Sequence, residues 1–174
     1  MTHTGAVIQP LIALVMGVSG SGKTTIGTLL AQRLGCVYAE ADSFHPPANI
    51  AKMHAGQALT DEDREPWLRA IAEWITSCEE AGETAVVSCS ALKRSYRDRL
   101  RENHKHVRVI YLHGTAEMLH ERVLKRKGHF FPADLLASQL SALEPPTPDE
   151  HVLEIENVPP PSSVVDEILS HLGY

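Results

Sequence analysis

The chain has 174 residues, 43% hydrophobic and 22% charged, with a formal net charge of −6. That balance fits one globular domain with a full core, and the acidic excess argues against a nucleic-acid partner, which calls for a basic face. No apolar run reaches the ~18 residues of a membrane span, and residues 1–10 lack the charged start and apolar centre of a signal peptide.

The expected setting is therefore cytoplasmic, with no membrane partner. Residues 1–10 read as a loose N-terminus ahead of a single domain over 11–174. Residues 11–16 form a short apolar run of the kind found in buried parallel strands. Gly17-Val18-Ser19-Gly20-Ser21-Gly22-Lys23-Thr24 follows at once and fits the phosphate-binding pattern G-x-x-x-x-G-K-[ST] without a mismatch. Its glycines let backbone N–H groups turn inward around a phosphate. Lys23 would reach the β- and γ-phosphates and the Thr24 hydroxyl would ligate Mg²⁺, so Gly17, Ser19, Gly20, Ser21, Gly22, Lys23, Thr24 and the adjoining Thr25 are the expected ATP-binding set. Residues 24–34 are helical in pattern, with Ile26, Leu29, Leu30 and Leu34 on one side and Gly35 at the stop.

A second strand over 36–39 delivers Glu40 and Asp42 to the sheet edge where open α/β sheets bind ligands. Residues 42–47 must be a loop, because Pro46 and Pro47 exclude helix before them. A short helix over about 48–53 ends at Gly56. Residues 60–66 are an acidic helix entrance with Pro66 suited to the first turn. Trp67, Leu68, Ile71, Trp74, Ile75 and Cys78 then recur at helical spacing, which makes the tryptophans core residues. A third strand spans 85–89, and Ser90 is placed to cap a helix over 91–103. A fourth strand covers 107–112, and Thr115 caps a helix to about Lys127. Residues 128–132 break it, 133–143 form another helix, 152–155 the last strand and 163–172 the closing helix. Cys36, Cys78 and Cys89 are widely spaced, with no C-x-x-C, and read as core thiols of a reducing compartment.

Five apolar strands alternating with helices imply an α/β fold, a P-loop nucleotide-binding domain whose five-stranded parallel sheet has helices on both faces. A GTPase would need a guanine-reading N-K-x-D, which is absent. Motor-type ATPases end a later apolar strand in an acid, whereas the third strand here ends Val-Val-Ser-Cys-Ser. The acid must come from the second strand, which nominates Asp42, with Glu40 beside it. This is the layout of kinases that act on small molecules and nucleoside monophosphates.

Several blocks are more particular than the loop. Asp42-Ser-Phe-His-Pro, Asn49-Ile-Ala-Lys-Met, Leu59-Thr-Asp-Glu-Asp-Arg and Pro66-Trp-Leu, then Ser88-Cys-Ser-Ala-Leu-Lys-Arg-Ser-Tyr-Arg, Arg126-Lys-Gly-His-Phe-Phe and residues 136–144 resemble the gluconate kinase (gluconokinase) family. The resemblance runs in order over about residues 11–172. It implies an adenylate-kinase-like fold, ATP-dependent phosphorylation of D-gluconate on its 6-hydroxyl, Mg²⁺, and a homodimer. Glu40 departs from the family pattern, where Asp is expected; the charge is kept on a longer arm, so no direct role is assigned to residue 40 from the resemblance. A kinase of shikimate or another sugar acid, or a non-catalytic nucleotide-binding regulator, would share the same loop and fold.

In phosphoryl transfer, positioning and charge neutralisation supply most of the catalysis. Lys23 is expected to stabilise the β,γ-bridge. Asp42 is expected to orient the acceptor hydroxyl, take its proton late and face the Mg²⁺ through water. The matching blocks nominate His45, Lys52, Arg64, Lys93 and Arg97 for the acceptor pocket, Arg97 as a bidentate partner of the substrate carboxylate. Arg122 and Arg126 share a helix face and, with Lys127 and His129, read as a basic lid over about 122–143. There the two arginines would serve the transferring phosphoryl group and His129 the substrate. The loop after the last strand, Asn157-Val158-Pro159-Pro160, would form an adenine-side wall.

Overall fold

The computed structural model describes residues 10–125, 133–158 and 160–174. In chain order the elements are β1 (Ile12–Met16), α1 (Lys23–Leu34), β2 (Val37–Glu40), α2 (Pro47–His54), α3 (Asp61–Glu80), β3 (Ala85–Ser88), α4 (Arg94–Arg101), β4 (Val107–His113), α5 (Ala116–Lys125), α6 (Ala133–Ala142), β5 (Leu153–Glu156) and α7 (Pro161–Leu172). Short 3₁₀ turns occupy Ala41–Phe44 and Pro148–Glu150. The strands form one parallel sheet in the order β2-β3-β1-β4-β5.

β1 is central, and all five of its residues are buried, as its unbroken apolar run requires. Alternation along the strand sends Ile12, Leu14 and Met16 to a core shared with Trp67, Ile71 and Ile75 of α3. Ala13 and Val15 face Ile26 and Leu30 of α1 and Val165 and Ile168 of α7. Helices therefore cover both faces, as expected. A smaller apolar cluster joins Val18 of the loop after β1 to Leu92, Leu119 of α5 and Leu136 of α6. It seats the two helices that flank residues 126–132 directly over the phosphate-binding loop.

The strands and the long helices fall where the apolar pattern places them, and the local signals at helix ends hold in part. Thr60 and Asp63 form a reciprocal capping box at the start of α3. That start leaves Pro66 in the second turn rather than the first. Thr115 accepts from the Met118 N–H at 3.2 Å and caps α5 as expected. Ser90, by contrast, does not start α4. Ala91 adopts a left-handed φ of 44° and the helix begins only at Arg94, behind Lys93. Residues 42–47 are not loop throughout, since Ala41–Phe44 is a 3₁₀ turn. Among the described residues, no helix is long and apolar enough to cross a membrane.

Candidate functional site

The strand–loop–helix unit around residues 17–24 puts the N-terminus of α1 at the carboxyl end of the sheet, where its dipole and unpaired N–H groups favour an anion. The loop is held from outside. Asn157, 7% exposed at the end of β5, donates from Nδ2 to the Ser21 carbonyl at 2.6 Å. Gly22 has a φ of 94°, and a Cβ there would lie 2.3 Å from that same nitrogen, so only glycine fits. Arg122 of α5 donates to the Asn157 carbonyl at 2.8 Å and to the Gly20 carbonyl at 3.4 Å. Gln139 of α6 accepts from the Ser19 N–H at 2.6 Å. Lys23 reaches back along the loop and donates to the carbonyls of Gly17 and Val18, at 2.9 and 3.1 Å. Thr24 and Thr25 are exposed on the first turn of α1.

The Thr24 hydroxyl donates to Glu40 Oε1. Asp42, expected to serve both metal and acceptor, is therefore not the carboxylate that Thr24 meets; the longer arm of Glu40 takes that place. Asp42 lies exposed in the 3₁₀ turn two residues on. The Cys89 thiol is pushed up to about 12 by burial, and both the Asp42 carboxylate and the Lys23 ammonium are close enough to act on it, in opposite directions. Hydroxyl and carboxylate oxygens beside a triphosphate-binding loop are the hard donors Mg²⁺ takes, with phosphate and water completing its shell.

On the acceptor side, the His45 ring stacks on Trp67 with centroids 4.5 Å apart, 8° from parallel. Trp67 is itself fixed by its indole N–H on the Ala41 carbonyl at 2.7 Å. Asn49 Nδ2 lies 3.2 Å from His45 Nδ1 and also donates to the Asp63 carbonyl. An amide NH₂ can only donate, so Nδ1 accepts and the ring proton sits on Nε2. Burial lowers the His45 pKa, the Asp42 carboxylate opposes that and the Arg64 charge adds to it. His45 is thus a neutral imidazole, within electrostatic range of both Asp42 and Arg64.

The four cations expected in this pocket fare differently. Lys52 pairs with Asp63 at 2.7 Å, and that contact, with the Thr60 N–H, holds the Asp63 carboxyl at about 2. Lys93 pairs with Asp61 at 3.0 Å, and Asp61 also accepts from the Tyr96 hydroxyl. Arg64 donates to the Leu59 carbonyl and the Tyr96 hydroxyl, at 3.0 and 3.2 Å, and lies over the Tyr96 ring. Among the described residues no carboxylate forms a direct ion pair with Arg64, although the Asp61 pKa, lowered first by the Tyr96 and Lys93 hydrogen bonds, is lowered further by its charge.

Arg97 corrects the expectation. Its side chain is fully buried, and Nε and Nη2 make a bidentate pair with Glu150 at 2.7 and 3.1 Å. The remaining N–H groups go to the carbonyls of Ala91, Leu92 and Glu144. Every donor is used inside the protein, so none is left for a substrate carboxylate. Arg97 instead clamps the turn before α4 to the segment after α6, and that clamp explains the left-handed Ala91. Arg126 and His129 lie outside the described residues. Sequence reasoning missed Gln139, because a glutamine at mid-helix carries no local signal. It placed Asn157 beside the nucleotide, but on the adenine rather than on the loop.

Comparison with known proteins fits this geometry. The shikimate kinase family model matches residues 19–171. A gluconokinase of Gluconobacter oxydans is 46% identical over 164 residues, covering 94% of this chain and 92% of its own. Among solved structures, an unliganded sugar kinase from Janibacter sp. is 49% identical with a TM-score of 0.88, covering 94% of this chain and 95% of its own. A gluconokinase from Sinorhizobium meliloti is 45% identical with a TM-score of 0.83, covering 94% and 92%.

Proposed function

The chain belongs to the gluconokinase family of P-loop kinases, and from that membership we propose that it transfers the γ-phosphoryl group of ATP to the 6-hydroxyl of D-gluconate, giving 6-phospho-D-gluconate and ADP. The observation that carries the reading is the convergence of Lys23, Thr24, Glu40 and Asp42 at the carboxyl ends of β1 and β2, where one carboxylate meets the loop hydroxyl and a second stands two residues further on.

In this reading the loop amides and Lys23 hold the β- and γ-phosphates and stabilise charge that shifts onto the bridging oxygen. Thr24 and Glu40 would hold Mg²⁺, which supplies charge neutralisation of the phosphates. Asp42 accepts a hydrogen bond from the 6-hydroxyl, aims its oxygen at the γ-phosphorus and takes the proton as the new bond forms. His45, through its Nε2–H, donates to a substrate hydroxyl, and Arg64 takes the carboxylate at the far end of the chain. Lys52 and Lys93 keep their carboxylate partners and set the edge of the pocket. Residues 122–143 form the lid, with Arg122 and Arg126 facing the phosphates when it closes. A homodimer and a cytoplasmic setting complete the reading; the three free cysteines suit a reducing compartment.

A coupled ADP-release assay over gluconate, other sugar acids and shikimate tests it, with the product identified by mass spectrometry. Turnover restricted to gluconate, and lost in Asp42→Asn while ATP still binds, is the expected result. Preferred turnover of shikimate would assign the acceptor that the matching family model carries in its name. ATP binding with no product across the panel would make the chain a nucleotide-dependent regulator.

A further inference from the structure

We propose that Tyr38 is a positioning residue for Glu40: its phenol, backed by Ser88, holds the long carboxylate arm against Thr24. The inference rests on the reading that Glu40 is the metal-side carboxylate.

Glutamate reaches one methylene further than aspartate and has one more rotor to fix, so a carboxylate at its tip needs support that a shorter arm does not. That support is present. Glu40 Oε1 accepts from the Thr24 hydroxyl and, at 3.1 Å, from the Tyr38 hydroxyl. The Tyr38 oxygen is also 2.6 Å from Ser88 Oγ. A phenol has a single hydrogen. With that hydrogen on Glu40, Ser88 must be the donor to Tyr38, and the chain runs Ser88 to Tyr38 to Glu40 with each bond polarising the next.

Strand geometry builds the chain in. Tyr38 and Glu40 are two apart on β2 and share a face of the sheet. Ser88 is the register partner of Glu40 on β3; with its one hydrogen on Tyr38, the Lys23 carbonyl 3.3 Å away at the start of α1 is a neighbour and not a second acceptor. The Tyr38 ring is fixed in turn against α1. A Cβ on Gly27 would stand 2.7 Å from Tyr38 Cε2, so the helix approaches the ring as closely as a residue without a side chain allows. Groups that orient a metal-side carboxylate without touching the ion commonly set its affinity. The same three side chains tie β2, β3 and the phosphate-binding helix to one carboxylate.

Mn²⁺ in place of Mg²⁺ gives a readout independent of turnover. Electron paramagnetic resonance follows free Mn²⁺ as it is titrated into the enzyme–ADP complex, and calorimetry in EDTA reports ADP binding without metal. Tyr38→Phe is expected to weaken Mn²⁺ binding about tenfold and to leave metal-free ADP affinity unchanged, which controls for folding. In a Glu40→Asp background the carboxylate no longer reaches the phenol, so adding Tyr38→Phe should change nothing further. Mn²⁺ affinity within about twofold of wild type in Tyr38→Phe, or an equal loss in the Asp background, would overturn the inference. Glu40→Gln separates the two levels. If Glu40→Gln weakens Mn²⁺ binding and Tyr38→Phe does not, the positioning role alone fails. If Glu40→Gln also leaves Mn²⁺ binding intact, the metal-side reading of Glu40 fails with it.

Discussion

Replacing Arg97 by methionine separates a structural clamp from a substrate contact. The substitution keeps an unbranched apolar stem and removes the guanidinium. Glu150, whose side chain is 1% exposed, then keeps the Thr147 N–H but loses both of its bonds to Arg97. Breaking a buried ion pair by removing one partner costs about 3–5 kcal/mol. The carbonyls of Ala91, Leu92 and Glu144 lose their donor as well, at about 1 kcal/mol each where water does not replace it. For a domain of this size each kcal/mol moves Tm by about 2–4 °C, so a loss of about 3–8 kcal/mol should make Arg97→Met melt roughly 6–32 °C below wild type. Steady-state kinetics at low temperature, where the variant is still folded, should show gluconate KM within about threefold of wild type, since no Arg97 donor faces the pocket. The double variant Arg97→Met/Glu150→Met should be less destabilised than the two single losses added, because it no longer strands a charge, yet it should not return to wild type while three carbonyls stay unpaired. A melting point within about 2 °C of wild type, together with a tenfold or larger rise in gluconate KM, would refute the clamp and return Arg97 to the substrate.

Arg64→Met should raise gluconate KM by about 10–100-fold, the range of a lost charge-assisted hydrogen bond, with KM for ATP unmoved; equal effects on both substrates would take Arg64 out of the pocket. Asn157→Ala removes the pin on the Ser21 carbonyl, worth about 1 kcal/mol, and calorimetry should show ADP bound about fivefold more weakly; an unchanged Kd would mean the loop holds its shape without Asn157. Because burial lowers the His45 pKa, the unfolded chain binds more protons than the folded one between the folded value and about 6.5. Stability should therefore be complete above that upper limit and fall as the pH drops through the window. Urea midpoints measured from about pH 7 to pH 5 should show the decline and His45→Gln should flatten it, whereas parallel curves for the two proteins would exclude His45 as the source. Amide exchange across residues 116–142 should slow when a non-hydrolysable ATP analogue binds, and unaltered protection would count against a lid.

Which parts of the molecule can be read from the chain follows from how far apart the interacting groups lie. The phosphate-binding loop, the capping box at Thr60 and the buried strand β1 are statements about neighbours a few residues apart, and pattern alone carries them. The start of α4 is different. Ser90 is a good local cap, but Ala91 and Leu92 give their carbonyls to Arg97, which is in turn held by Glu150, 53 residues away. That tertiary claim on the backbone outweighs the local preference and delays the helix to Arg94. Asn157 and Gln139 reach the loop across 136 and 120 residues; the sequence puts the first beside the nucleotide and the second in the 136–144 block, but nothing local shows that either one holds the loop. The acceptor pocket makes the point most sharply. Sequence blocks can nominate Lys52, Arg64, Lys93 and Arg97 as cations near a substrate, but a cation is available to a ligand only if its charge is not already spent. Asp63, Asp61 and Glu150 take up three of the four. Arg64, bonded to a carbonyl and a phenol, retains the charge with which to bind a carboxylate.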